Sequence, residues 1–201
     1  MQRIAQLISF IFQPLLMPTL GMIFLFQVDS FAFQPIGYKT YVLLGTLLFS
    51  ALIPMIGITI LRKIGLVSTL FISNRRERTI PYLITLILYV VYIIFLRRAA
   101  MPNWIVAMVI GSTVSIILIT IINIKWKISA HLSGMGGLTA AVFVVAYQLD
   151  YNPFWIFVGM IMLSGIVASS RIILRAHTPL QTLGGFCLGV ICVAVPGIIV
   201  I

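Results

Sequence analysis

The chain has only two histidines, His131 and His177, and each stands beside cations at the start of an apolar run. In SSRIILRAHTPLQTLGG, residues 169–185, His177 follows Arg171 and Arg175 and precedes Thr178-Pro179-Leu180-Gln181. That tetrapeptide is a helix start: Thr178 at the N-cap, Pro179 at N1 and Gln181 at N3 make a capping box. The first-turn N–H groups and the positive end of the helix dipole then face an anion site beside His177, which the planar fork of Arg171 can bracket. His131 has a parallel setting, with Ser129 as N-cap and Lys127 beside it. Two imidazoles near one phosphate suggest divided work: one attacks phosphorus and the other protonates the leaving oxygen, while arginine and lysine offset charge on the transferred group.

The elements that must position these residues are membrane spans. Of 201 residues, 62% are hydrophobic and 8% charged, against about a quarter charged in a soluble domain. A spanning helix needs about 20 mostly apolar residues. Seven segments qualify, at about 4–27, 38–61, 79–96, 103–124, 131–148, 152–169 and 180–201. The expected fold is an all-α polytopic bundle of six to seven spans, one domain over residues 1–201. The first segment is too long, and too poorly followed by small residues, for a cleaved signal. Cys187 and Cys192 lie within the last segment and read as packing residues.

Loop parity groups the polar residues. The loops holding FISNRRERTIPY (71–82), KWKISAH (125–131) and the 169–185 stretch are separated by even numbers of spans, so all three open on one face. Ten of the thirteen Lys and Arg belong to that face, as do both histidines; Lys39, Arg97 and Arg98 belong to the other, with Asp29 and Asp150. The positive-inside rule accounts for such a bias without any site. It does not account for the histidines, nor for Arg171 directly behind an apolar run, where a charge is costly and usually faces a bundle interior. The net charge of +10 comes with no basic arm or soluble module. Anionic headgroups or a phosphorylated lipid therefore fit as partners, and nucleic acid does not. Three scattered acids, Asp29, Glu77 and Asp150, do not build a magnesium site.

The order Ser170-Arg171-x5-His177-x3-Gln181 resembles the third motif of the type 2 phosphatidic acid phosphatase superfamily, Ser-Arg-x5-His-x3-Asp. Ile128-Ser129-Ala130-His131 resembles its second motif, Pro-Ser-Gly-His. Asn74-Arg75-Arg76-Glu77-Arg78-Thr79-Ile80-Pro81 stands where the first, Lys-x6-Arg-Pro, would be. The resemblance covers roughly residues 70–190. It implies a cofactor-free, metal-independent lipid phosphatase with His177 as nucleophile, His131 as acid and Arg171 as phosphate ligand. Ser129, Lys127, Arg78, Arg75 and Arg76 would complete the phosphate site.

Two departures stand out. Gln181 replaces the family's aspartate; its amide can orient the imidazole but adds no charge, and it serves equally as the capping-box residue. Two apolar segments also separate Arg78 from Ser129, where the family's first two motifs usually share a loop. The expected function is hydrolysis of a lipid phosphomonoester or diphosphate, such as phosphatidate, phosphatidylglycerophosphate or a polyprenyl diphosphate. A non-catalytic lipid-phosphate binder or transporter, and a phosphotransferase, are the competing readings. The implied location is a cell membrane of bacterial type. Charge bias puts the histidine face in the cytoplasm and the family puts it outside. With the seven cations at or next to the site set aside, three remain on each face, so the charge rule is tied.

Overall fold

The computed structural model describes residues 1–68 and 75–200, except the side chains of residues 75 and 76. It is all-helical among the described residues. Ten helices follow in order: α1 (Gln2–Ile11), α2 (Met17–Leu25), α3 (Asp29–Ala32), α4 (Ile36–Leu47), α5 (Ile53–Lys63), α6 (Thr79–Arg98), α7 (Asn103–Ile122), α8 (Ala130–Leu149), α9 (Phe154–Ile173) and α10 (Pro179–Ile199). They make seven helical runs long and apolar enough to cross a membrane, as the sequence predicts. The chain is an integral membrane protein. Many of its large apolar side chains, Ile87, Ile121 and Leu180 among them, are exposed to the surroundings, as lipid-facing positions should be.

Two runs are not simple rods. The first breaks between α1 and α2. Pro14 has no N–H to donate, and it pushes Gln13 into an extended conformation (φ −68°, ψ 135°), so α1 stops short and a 3₁₀ turn, Pro14–Leu16, carries the chain into α2. The second contains a π-helical turn, Leu48–Leu52, just ahead of Pro54. The first break leaves the Ser9 carbonyl open to a side chain of the bundle, which is tolerated where protein rather than lipid meets it.

The tightest packing is between α8 and α10. A methyl group added to Gly136 would strike the carbonyl of Phe186; one on Gly189 would strike that of Ser133, and one on Gly185 that of Ser129. Small residues let the two backbones touch, which replaces the hydrophobic driving force that lipid removes. This contact fixes the start of α10 against the start of α8, and so brings the two histidine-bearing segments together. Ser129 N–H donates to the Gln181 carbonyl at 3.2 Å across the same junction.

The sixth run extends past the expected end at residue 169 to Ile173. Arg171 therefore lies within the last turn of α9, where a cation complements the dipole, rather than beyond it. Arg175 then takes a left-handed conformation (φ 51°) and the chain folds back. Ala176 N–H donates to the Arg171 carbonyl at 3.0 Å, and His177 N–H reaches it at 3.4 Å. This helix ending delivers His177 next to Arg171.

Candidate functional site

Among the basic-face cations whose side chains are described, Arg3, Arg62, Lys63, Lys125 and Arg175 are exposed. Arg78 and Arg171 are not: each is 5% exposed, and His177 is 7%. Lys127 is half-buried. The face thus divides into a solvated majority, as the positive-inside rule asks, and a small inward group of the kind that marks function in membrane proteins. Arg78, Arg171, His131 and His177 all line one cavity of about 240 Å³. The four residues come from the starts of α6 and α8, the end of α9 and the loop before α10, so the parity argument holds in three dimensions.

Each member has a local reason for its place. Arg78 ends a 3₁₀ turn, Arg75–Arg78, and is the N-cap of α6; its guanidinium hydrogen-bonds the Tyr82 side chain one turn on. Arg171 has an Nε buried without a hydrogen-bond partner among the described residues. A buried guanidinium N–H left unpaired costs more than an ordinary hydrogen bond is worth, and an arriving oxyanion would satisfy it. The start of α8 adds first-turn N–H groups without helical partners, and Ala130 and His131 face the cavity.

The histidine tautomers follow from their acceptors. His177 Nδ1 lies 3.1 Å from the Lys127 carbonyl. A carbonyl only accepts, so the neutral ring carries its proton on Nδ1 and leaves Nε2 with a lone pair. Burial first, then the charges of Arg78 and Arg171, pull His177 down to about 4, although the Lys127 carbonyl acts the other way. The ring is neutral at pH 7, with Nε2 unprotonated. Lys127 is also lowered from its ordinary value, by burial and then by Arg78 and Arg171. Three cations press on one another here, which an anion would relieve.

His131 Nε2 lies 3.1 Å from the Ser9 carbonyl. That carbonyl is open because α1 stops at Ile11, ahead of Pro14. His131 is thereby oriented from the first span, and its Nδ1 is the nitrogen left for chemistry in the cavity. The sequence reading did not identify Ser9, Gln13 or Pro14 as part of the site; a proline just after an apolar, nearly uncharged run was the available signal.

Three expected roles change. The Gln181 side chain does not orient His177: Oε1 accepts the Thr178 N–H at 3.1 Å, and Thr178 Oγ1 accepts the Gln181 N–H at 3.4 Å. Gln181 is the capping-box residue, and the Lys127 carbonyl does the orienting. Ser129 is fully buried and caps α8, its Oγ accepting from Leu132 N–H at 3.4 Å; it does not line the cavity and is no phosphate ligand in this arrangement. Lys127 contributes its carbonyl to His177 and its charge to the cluster, but its side chain is not in the cavity wall. Arg75 and Arg76 have side chains outside those described. Comparison with protein-family models, curated proteins and solved structures finds no match for the chain.

Proposed function

We propose that the chain is a lipid phosphatase working through a phosphohistidine on His177. One observation carries this reading: the buried Arg78, Arg171 and His177 and the half-buried His131 converge on the polar end of an otherwise mostly apolar cavity. In the reaction, Nε2 of His177 attacks phosphorus as the bond to the lipid oxygen breaks. A proton carried in on the substrate phosphate passes through His131 Nδ1 to that oxygen, while Nε2–H stays on the Ser9 carbonyl. Water then attacks the phosphohistidine and gives its proton through His131 Nδ1 to the departing phosphate. The products are the lipid alcohol and inorganic phosphate, and both imidazoles end as they began. Arg78 and Arg171 bind the phosphoryl oxygens throughout, as fixed cations in a water-poor site. The resemblance of 170–181 to the third phosphatase motif and of 128–131 to the second supports the same assignment.

The direct test is phosphate release by the purified chain in detergent, with excess chelator, on lipid phosphates and diphosphates. Release that persists under chelation and disappears in His177→Ala is expected. A folded protein that binds phosphate but turns over no lipid would replace this reading by a lipid-phosphate binder or transporter.

We further assign the protein to a bacterial-type cell membrane, with the histidine face outward. Lys125, exposed in the α7–α8 loop, supplies the test: Lys125→Cys, in a Cys187→Ser background, should react with an impermeant thiol reagent in intact cells. Protection until lysis would put the site in the cytoplasm.

A further inference from the structure

The cavity continues well past the cation cluster. Its lining runs from Arg78 to Tyr92 along the α6 segment, from Ile119 back to Ile105 along α7, and from His131 to Val145 along α8. Each pair is 14 positions apart, which at about 1.5 Å per residue is a depth of about 21 Å. Three neighbouring helices therefore give the same depth. The α7 stripe, 105-108-109-112-115-116-119, has the 3-and-4 spacing of a single helix face.

The walls offer a ligand almost nothing polar. Ser115 and Ser133 bond each other at 2.9 Å. Thr85 donates to the Pro81 carbonyl at 2.8 Å and Ser112 to that of Met108 at 3.0 Å. Tyr92 and Thr46 hydroxyls pair at 3.1 Å. The lining ends there: past Tyr92 and Ile105, Leu96, Met101 and Trp104 are buried and do not face the cavity. The space is a blind slot, charged at its mouth and apolar to its floor. Drawn out over that depth, about 240 Å³ leaves no room for two hydrocarbon chains side by side.

We propose that this slot takes the single chain of a monoalkyl, monoacyl or isoprenyl phosphate, with the phosphate at Arg78, Arg171 and the histidines and the chain end near Tyr92. The proposal rests on reading the cation cluster as a lipid-phosphate site. An extended chain advances about 1.2 Å per bond, so a depth of about 21 Å sets an upper limit of roughly 16 to 18 carbons. A two-chain lipid leaves its second chain in the bilayer, and a long polyprenyl chain overruns the floor.

The test uses the full chain in nanodiscs with monoalkyl phosphates of about 8 to 18 carbons, reading phosphate release and thermal stabilisation side by side. Affinity should rise roughly four-fold per added methylene and level off near the slot's length. Ser112 is at mid-depth and Ala141 deeper, 10 positions from His131, and neither belongs to the reacting groups. Ser112→Phe should move the plateau to about half that length, with the shortest substrate handled as before. Ala141→Leu, a gentler change, should move it by a few carbons and covers the case that Ser112→Phe does not fold. Stabilisation that levels off at a chain length moved by the variants, without phosphate release, would retain the slot and remove the phosphatase. Release with a chain-length profile that neither variant alters, or equal preference for a two-chain phosphate, would remove the slot and leave the phosphatase standing.

Discussion

The two ends of the bundle solve opposite problems with similar residues. At the end carrying Arg78, Lys127, Arg171 and His177, charge is drawn inward and the space between helices is left open. At the other end, Asp29, Arg97, Arg98 and Asp150 are exposed, while aromatic rings close the interior. Phe31 meets Phe26 and Trp104 edge-to-face at 6.4 Å, and Tyr38 packs on Phe26 at the same separation. Tyr38 donates to the Ala99 carbonyl at 3.0 Å. One end is thus packed as a core, and the other keeps a guanidinium nitrogen without a partner among the described residues, and mutually repelling cations. Local rules are broken where a ligand would repair them. The stability forgone at the open end and the close packing of the sealed end make one design, because a blind slot needs both.

Removing the key groups of the open end should give the largest effect. His177→Ala is expected to lower phosphate release at least about a thousand-fold while leaving the helical content and melting temperature near those of the parent. Arg171→Ala should cost a comparable factor, since it removes a cation facing the transferred group. Arg97→Ala, on the sealed face, should change turnover by less than about two-fold. Equal losses from Arg97→Ala and Arg171→Ala would abolish the distinction between the ends.

Acid should distinguish the ends next. The folded-state value of His177, about 4, lies below that of an unfolded histidine, near 6.5. Between these values the unfolded chain binds the extra proton, so stability is complete above about 6.5 and declines as pH falls towards about 4. The contribution is on the order of 3 kcal/mol, and His177→Gln should flatten this part of a melting-temperature profile. Turnover, expressed as kcat/KM, should lose its acid limb near 4 rather than near 6.5, as only the neutral ring attacks phosphorus. An acid limb near 6.5 would mean that the ring is not held beside Arg78 and Arg171 during turnover.

At the sealed end, Tyr38→Phe strands the buried Ala99 carbonyl. The expected cost is about 1–2 kcal/mol of stability, seen as a lower melting temperature in detergent. Phosphate release per folded molecule should not change. A shift in chain-length preference instead would show that the aromatic end communicates with the slot.

How much of this was legible beforehand depends on what each feature rests on. Span number and the gathering of three loops on one face follow from hydropathy and parity, which need no contacts. Arg171 and His177 were legible because a helix end, a turn and a helix start are local in sequence. The sorting of the other basic-face cations was not, since Lys125, exposed, and Lys127, half-buried, flank Trp126 alike until the helices pack. Nor were the carbonyls of Ser9 and Lys127: any residue has a carbonyl, and only Pro14 and the α8–α10 contact decide which ones are left open. The slot was invisible for the same reason. Its lining residues read as ordinary apolar span, and what distinguishes them is that three faces stand apart instead of closing.

Gln181 gives the finest comparison, within the open end itself. The motif resemblance makes it the stand-in for an aspartate that orients the nucleophile; the structure makes it half of a capping box. The two roles predict different losses. A residue orienting a reactive imidazole typically costs 10–100-fold when removed, and kcat would fall with KM little changed. A capping residue costs about 1 kcal/mol of stability, and turnover per folded molecule holds within about three-fold. Gln181→Ala is expected to behave in the second way, because the Lys127 carbonyl keeps Nδ1 of His177 whichever residue follows Thr178 by three. Gln181→Asp should likewise fail to raise turnover: its shorter side chain stays at the Thr178 N–H, in keeping with aspartate's preference for helix starts. A large gain from Gln181→Asp would show that the imidazole leaves the Lys127 carbonyl when substrate is bound, and that the resemblance, not the resting geometry, describes the working site.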